Sequence, residues 1–176
     1  MINQYLKIMK NILFCFLISF LFNTNCYSQT ARSYCLSGNA KSELKDYVGA
    51  IADYTKAIVI DPRFELAYCF RGNAKRNLEE YSGAIADYSK AIEINSKNEG
   101  AYSYRGIAKA QLEDYRGAIS DFNKVLELNP NHAKTYLSRG LAKIMLGEKD
   151  SGCLDFSKAG ELGEAEAYDY IKEYCK

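Results

Sequence analysis

The sequence is poor in the residue types around which catalytic and metal sites are usually built. In 176 residues it has no tryptophan, two prolines and a single histidine. That residue, His132, follows an Asn-Pro turn, and no partner base or metal ligand lies beside it in the sequence. Since a catalytic or metal-binding histidine needs such partners, we predict that His132 lies at the surface. We therefore expect no cofactor and no metal site.

Positive and negative charges are nearly balanced, and this balance limits which class of partner the chain can attract. Lys and Arg together number 23 and Asp and Glu 22, for a formal net charge of +1. Without a basic patch, the chain has no general attraction for nucleic-acid phosphates. It also has no Gly-rich phosphate loop ending in Lys-Ser or Lys-Thr and no Gly-x-Ser-x-Gly element. These absences argue against a nucleic-acid partner, a small-molecule substrate and an enzymatic function.

A pattern that recurs every 34 residues is what the sequence does contain. Its clearest copy is residues 68–94, YCFRGNAKRNLEEYSGAIADYSKAIEI, with close copies 34 residues before and after and a weaker fourth. A fixed period without insertions is typical of a repeat array. The recurring positions are an aromatic, a glycine, a small residue, a second aromatic and a closing proline. In chain order they are Tyr34, Tyr68, Tyr102 and Tyr136; Gly38, Gly72, Gly106 and Gly140; Ala50, Ala84, Ala118 and Gly152; Tyr54, Tyr88, Phe122 and Phe156; and Pro62 and Pro130.

This pattern resembles the tetratricopeptide repeat family, whose unit is a pair of antiparallel helices. The resemblance implies an all-α fold, an α-solenoid of four helix-turn-helix units at residues 31–64, 65–98, 99–132 and 133–166. Apolar residues at helical spacing further predict a capping helix over 165–176, which an array needs to cover its exposed end. The chain departs from the family pattern at two positions, with Ser or Arg for the leucine before the glycine and Lys for the second aromatic.

Residues 1–28 are typical of a secretory signal peptide. Lys7 and Lys10 precede an apolar run over residues 12–22, too short for a comfortable membrane span, and small residues end at Ser28. We expect cleavage after Ser28, contact with the membrane only through this segment, and a periplasmic or extracellular location. An uncleaved anchor and a lipoprotein modified at Cys26 remain alternatives. Export implies an oxidising compartment.

The remaining cysteines fall into two pairs with different expectations. Cys153 and Cys175 are equidistant from a turn near residue 164, so an antiparallel hairpin would place them opposite each other, and we predict a disulfide. Cys35 and Cys69 hold one position in consecutive repeats. Because neighbouring helix axes lie about 8–10 Å apart, too far for most disulfides, we expect two thiols there.

An arginine precedes the glycine in units two to four, and an aspartate recurs on the second helix. We predict ion pairs between adjacent units, Arg71–Asp53, Arg105–Asp87 and Arg139–Asp121, since arginine occurs only where an earlier unit supplies an aspartate. A solvated row of charges, or pairing inside each unit, is the alternative.

The family resemblance also implies a concave groove, lined by the first helix of each unit, that takes peptides or partner helices. The candidate partner-binding residues are Asn39, Asn73, Arg76, Ile107, Gln111, Lys134, Leu137, Leu141, Ile144 and Met145. The groove is polar in its first half and apolar in its second, and the apolar end is the better candidate for a partner contact. Asn39 and Asn73 match positions with which family members clamp a C-terminal carboxylate, but Cys35 replaces the preceding lysine. The alternative is that these residues pack under neighbouring helices.

These patterns together predict an exported scaffold that binds a protein or peptide in its groove and is not an enzyme. A structural subunit of a cell-envelope assembly, making contact through its convex face or its stack ends, is the alternative function.

Overall fold

A computed structural model describes residues 29–176, and in that range the regular elements are α-helices. The predicted signal peptide lies outside the described residues. Helix α1 is described over residues 29–43. The helices that follow are α2 (Tyr47–Ile60), α3 (Glu65–Asn77), α4 (Tyr81–Ile94), α5 (Glu99–Gln111), α6 (Tyr115–Leu128), α7 (Ala133–Met145), α8 (Lys149–Glu161) and α9 (Ala167–Tyr174). None of the helices in the described range is long and apolar enough to cross a membrane.

The chain divides into two compact units between Ala67 and Tyr68, inside α3. In the first unit, side chains of α1 bond to side chains of α2. In the second, each helix from α4 to α9 packs against the next along the chain, and α5 also contacts α7. This stepwise packing is the architecture of a helical repeat.

The turn inside each helical pair reverses the chain at one residue in the left-handed region. Lys45, Glu79 and Glu113 have φ of 62°, 61° and 62°, and Gly147 has φ of 81°. The next residue is the N-cap of the second helix. Asp46 and Asp114 cap the backbone N–H of Gly49 and Gly117 at 2.9 Å. Glu80 and Glu148 hold the same position without a cap bond, because their side chains are one methylene longer.

A glycine of the first helix lies under an aromatic ring of the second in every repeat. A Cβ added to Gly72 would come within 2.8 Å of Tyr88, one added to Gly106 within 2.8 Å of Phe122, and one added to Gly140 within 2.7 Å of Phe156. Gly38 and Tyr54 show the same contact in the first unit, at 2.6 Å. The two helices approach this closely only because the side chain is missing.

The predicted ion pairs between adjacent units are wrong, because each arginine pairs inside its own repeat. Arg71 pairs with Asp87, Arg105 with Asp121 and Arg139 with Asp155, each at 2.6 Å. Arg105 and Asp121 are equidistant from the turn residue Glu113, so the hairpin places them opposite each other. Cys153 and Cys175 are placed opposite each other in the same way, so the positions of these Arg–Asp pairs are already contained in the sequence.

Each arginine of the last two repeats also reaches the preceding repeat, through a neutral acceptor. Arg105 Nη1 donates to Ser89 Oγ at 3.0 Å, and Arg139 Nη1 donates to Asn123 Oδ1 at 2.6 Å. The side chain therefore joins the two helices of one repeat by charge and adjacent repeats by a hydrogen bond. The expected link between repeats exists, but its acceptor is not a carboxylate.

Helix α9 packs on the last full repeat. The ring of Tyr170 stacks on Phe156 with centroids 5.4 Å apart, and Ala167 is fully buried. Cys153 on α8 lies beside Cys175, the residue that follows α9, with a Cα–Cα distance of 5.8 Å. A disulfide can span this separation.

Candidate functional site

Two adjoining clefts lie between α5 and α7, the first helices of the third and fourth repeats. Their volumes are about 400 and 420 Å³, and both are lined by Ile107 and Ser138. The first cleft is otherwise lined by Ala110, Gln111, Glu113, Tyr115, Phe122, Leu141, Ala142 and Met145. The second is otherwise lined by Glu99, Gly100, Ser103, Tyr104, His132 and Lys134. The shared residues make one continuous surface, which we call the α5–α7 groove.

The two ends of the α5–α7 groove differ in chemistry. The first cleft is built on Ile107, Leu141 and Phe122, and Met145 beside them is 60% exposed. A flexible, polarisable methionine adapts to different apolar side chains. The second cleft carries polar and charged groups, among them Glu99 and Lys134. An apolar cleft next to a few polar groups is the usual composition of a binding site.

The sequence-predicted groove residues of repeats three and four divide between this groove and the core. Ile107, Gln111, Leu141 and Met145 line the first cleft, and Lys134 lines the second. The other two face inward. Leu137 is only 8% exposed and packs with Phe156, while the Ile144 side chain lies over Gly152, where an added Cβ would be 2.9 Å from Ile144 Cδ1. The packing alternative therefore holds for Leu137 and Ile144.

The two predicted asparagines are bonded within their own repeats. Tyr88 Oη donates to Asn73 Oδ1 at 2.8 Å, and in the first unit Tyr54 Oη donates to Asn39 Oδ1 at 2.8 Å. Burial raises the pKa of Tyr54 to about 12 and that of Tyr88 further, so both hydroxyls stay protonated. The amide oxygens thus have a structural partner.

In the third and fourth repeats both halves of this hydrogen bond are replaced together. Ile107 and Phe122 stand where repeat two has Asn73 and Tyr88, and Leu141 and Phe156 stand there in repeat four. Losing both polar groups at once leaves neither one buried without a partner. The coupled change was visible in the sequence, and it is why the first cleft of the α5–α7 groove is apolar.

Arg76, the remaining predicted residue, lies next to the second cleft. Its guanidinium carbon is 5.5 Å from the ring centroid of Tyr104, which lines that cleft. Tyr104 stacks in turn on Tyr88, with centroids 6.1 Å apart. Arg76 lowers the pKa of Tyr88, but the larger effect of burial outweighs it. Tyr104 and Ser138 hold one equivalent position of repeats three and four, where the residue type changes from repeat to repeat, so the repeat pattern does not single them out.

The histidine and the two remaining thiols have local structural roles. His132 Nδ1 accepts the backbone N–H of Thr135 at 3.3 Å and so caps α7. Cys35 is buried, which raises the pKa of its thiol. Cys69 is buried too, and Asn98 Nδ2 donates to its sulfur at 3.5 Å. In the part of the chain that the structure describes, no cluster of His, Cys, Asp and Glu is arranged to hold a metal ion.

The sequence matches models of one family in three places. A "TPR repeat" model matches residues 72–112, and "Tetratricopeptide repeat" models match residues 31–64 and 100–132. No curated protein matches the chain.

Several solved structures share the fold. The crystal structure of MamA is similar with a TM-score of 0.74 and 26% identity, over 79% of this chain and 81% of that one. The first TPR of Spaghetti (RPAP3) bound to the HSP90 peptide SRMEEVD has a TM-score of 0.67 and 30% identity, over 68% of this chain and 95% of that one. The Arabidopsis OM64 TPR domain has a TM-score of 0.65 and 29% identity, over 67% of this chain and 98% of that one. These structures are helical repeat solenoids, the all-α fold class predicted from the sequence, which they confirm.

Proposed function

Because the chain belongs to the tetratricopeptide repeat family, a family of protein-interaction scaffolds, we propose that it binds a peptide or partner helix in the α5–α7 groove. The observation that carries this proposal is the continuity of the two clefts through Ile107 and Ser138. One similar structure, that of the RPAP3 domain, contains a bound peptide. The proposal assigns no reaction to the chain.

The shape and exposure of the groove suit a chain segment rather than a small molecule. Two clefts of about 400 Å³ placed end to end offer room for successive side chains. Met145 at 60% exposure is apolar surface that a partner would remove from water. A partner that anchors one apolar side chain between Ile107 and Leu141 gains most of its affinity there, because binding energy concentrates in buried pockets.

Met145→Asp tests the proposal with little risk to the fold. Residues 29–176 would first be used to select binders from a phage-displayed random dodecapeptide library. We expect Met145→Asp to weaken the selected peptides at least about tenfold, since a carboxylate in the cleft must be desolvated. Ile144→Asp is unsuitable for this test because Ile144 packs over Gly152 in the core.

Leu154→Asp is the matched control, because Leu154 is 72% exposed on α8 and lines neither cleft. Fluorescence anisotropy of labelled peptides should give the same affinity for this variant and the parent. Equal affinities of Met145→Asp and the parent would refute binding in the groove. Loss of binding in Leu154→Asp alone would favour the alternative function, contact through the outer surface.

We also propose that the protein is exported after cleavage near Ser28 and that Cys153 and Cys175 are oxidised in its compartment. The sulfur positions support the second statement, and the segment before Ser28 supports the first. Expression of the full chain in a bacterial host, followed by N-terminal mass analysis and non-reducing peptide mapping, tests both. An intact N-terminus in the cytosolic fraction would contradict export, and alkylation of Cys153 without prior reduction would contradict the disulfide.

A further inference from the structure

Features that follow the 34-residue period build the scaffold, and Arg76 does not follow it. The equivalent positions in the other repeats are Ser42, Ala110 and Ile144. The periodic arginines Arg71, Arg105 and Arg139 each have an aspartate at 2.6 Å that neutralises them. Packing of the repeat therefore does not explain why an arginine stands at position 76.

The surroundings of Arg76 hold its guanidinium in place without neutralising it. Over residues 29–176, the arginines that form salt bridges are the three periodic ones. The Nε atom of Arg76 is enclosed and has no hydrogen-bond acceptor among the described residues. The Tyr104 ring, 5.5 Å from the guanidinium carbon, supports one face of the group. A partly buried cation without a counter-charge is unfavourable unless an anion joins it.

We propose that Arg76 binds a carboxylate of the peptide that occupies the α5–α7 groove. Tyr104 connects Arg76 with the groove, since it packs against Arg76 and also lines the second cleft. The ligand is therefore a segment that carries an Asp, a Glu or its own C-terminal carboxylate beside an apolar side chain. This inference rests on the proposed function and names the chemistry of its partner.

A single carboxylate fits this position better than a phosphate group. The nearest lysine on α3, Lys75, is taken by Asp87 at 2.8 Å, so it adds no second free cation beside Arg76 on this helix. A guanidinium pairs with a carboxylate through two parallel hydrogen bonds, which also orients the ligand. Glu113 lines the first cleft and would repel an acidic group placed there, whereas Glu99 shares the second cleft with Lys134. The acidic residue of the ligand is thus expected beside Arg76, and its apolar residue in the cleft with Met145.

The test uses the peptides selected on residues 29–176 and, for one acidic binder, a copy with Asn or Gln in place of Asp or Glu. We expect the selected peptides to share an acidic residue at a constant spacing from an apolar one. The amide copy should bind the parent about tenfold more weakly than the acidic peptide, a typical effect for a charge-assisted hydrogen bond. In Arg76→Gln the two peptides should bind equally, and added salt should weaken acidic-peptide binding less than in the parent.

Two further variants serve as controls for the role of Arg76. Arg116→Gln removes an exposed arginine from α6 and should retain the preference for the acidic peptide. Arg76→Lys keeps the charge but loses the planar pair of donors, so an intermediate preference is expected. Thermal unfolding by circular dichroism identifies any variant that does not fold, and Arg76→Lys then replaces Arg76→Gln in the comparison.

The results distinguish a wrong role for Arg76 from a wrong binding site. Peptides that lose affinity with Met145→Asp, yet show no acidic preference or keep it in Arg76→Gln, would overturn the role of Arg76 and leave the groove standing. Peptides that are indifferent to Met145→Asp would overturn the groove itself.

Discussion

Repeat two and the two repeats that follow it share one backbone plan and differ in the polarity of one side-chain pair. In each, a glycine lies under the ring of the second helix at nearly the same separation, 2.8, 2.8 and 2.7 Å. Repeat two adds a hydrogen bond from Tyr88 to Asn73, whereas repeats three and four place Phe122 and Phe156 there without hydroxyls. The ring holds the helices together, and the hydroxyl decides only whether the neighbouring face is polar.

This difference shows how a repeat protein changes its binding surface without changing its fold. The same substitution that removes one hydrogen bond turns the face next to it from amide to aliphatic. Arg76 and Tyr104 stand beside the polar pair, and the cleft of Ile107 and Leu141 stands beside the apolar ones. A ligand that crosses this boundary would meet charge first and then an apolar cleft.

The buried ion pair that these repeats share should contribute most to the free energy of unfolding. Asp121 is 3% exposed and accepts from both Arg105 and Lys109. Asp121→Ala leaves two partly buried cations without a carboxylate, and we expect a loss of about 3–5 kcal/mol in the free energy of unfolding. Urea denaturation measures it. Glu127→Gln, which breaks the exposed pair with Lys124, is the control and should leave the urea midpoint close to that of the parent. Similar costs for the two variants would show that the buried pair contributes nothing beyond a surface one.

The side-chain pair that differs between the repeats should contribute less to stability, and the polar pair should be replaceable by the apolar one. Tyr88→Phe leaves Asn73 Oδ1 without its donor, and we expect a cost of about 1–2 kcal/mol. Adding Asn73→Leu to Tyr88→Phe reproduces the arrangement of repeat four and should recover most of that cost. The measurement is a double-mutant cycle by urea denaturation. Strictly additive costs would contradict the pairing of these two positions.

Repeat one allows the finest comparison, because Ser37 there replaces the arginine of the other repeats. Lys41 and Ser37 hold the pKa of Asp53 at about 2, below its ordinary value of 3.8, and the Lys41 hydrogen bond is the larger cause. Since the folded pKa is the lower one, Asp53 contributes stability above about pH 4 that is lost as the pH falls through 2. Lys41→Gln should raise the pKa of Asp53 toward 3.8, as an NMR titration of the carboxyl carbon would show. An unchanged pKa would assign the shift to Ser37 and Lys56, which also bond to this carboxylate.

The helices and their pairing were predictable from the sequence. Contacts that depend on the direction of a side chain were predicted wrongly. The repeat period predicted the helical pairs, because glycine, aspartate and proline act locally on the backbone. Arg105 was assigned to the wrong aspartate because the hairpin geometry was applied only to the cysteines. Leu137 and Leu141 lie one helical turn apart, yet Leu137 is buried and Leu141 lines the groove. Their spacing alone does not separate the two environments.

The amino-acid sequence by itself determined that this chain folds as stacked helical hairpins, since a 34-residue period repeats the same local signals and the same small-against-aromatic contact. Only the tertiary structure decided which side chains are buried and which line a cleft, as Leu137 and Leu141 show. The reason is physical: helix formation depends on neighbours along the chain, whereas charge pairing and exposure depend on atoms brought together from different helices. Arg71 and Arg76 are five residues apart on one helix, and the fold places an aspartate beside the first, whereas no salt bridge to the second occurs within residues 29–176.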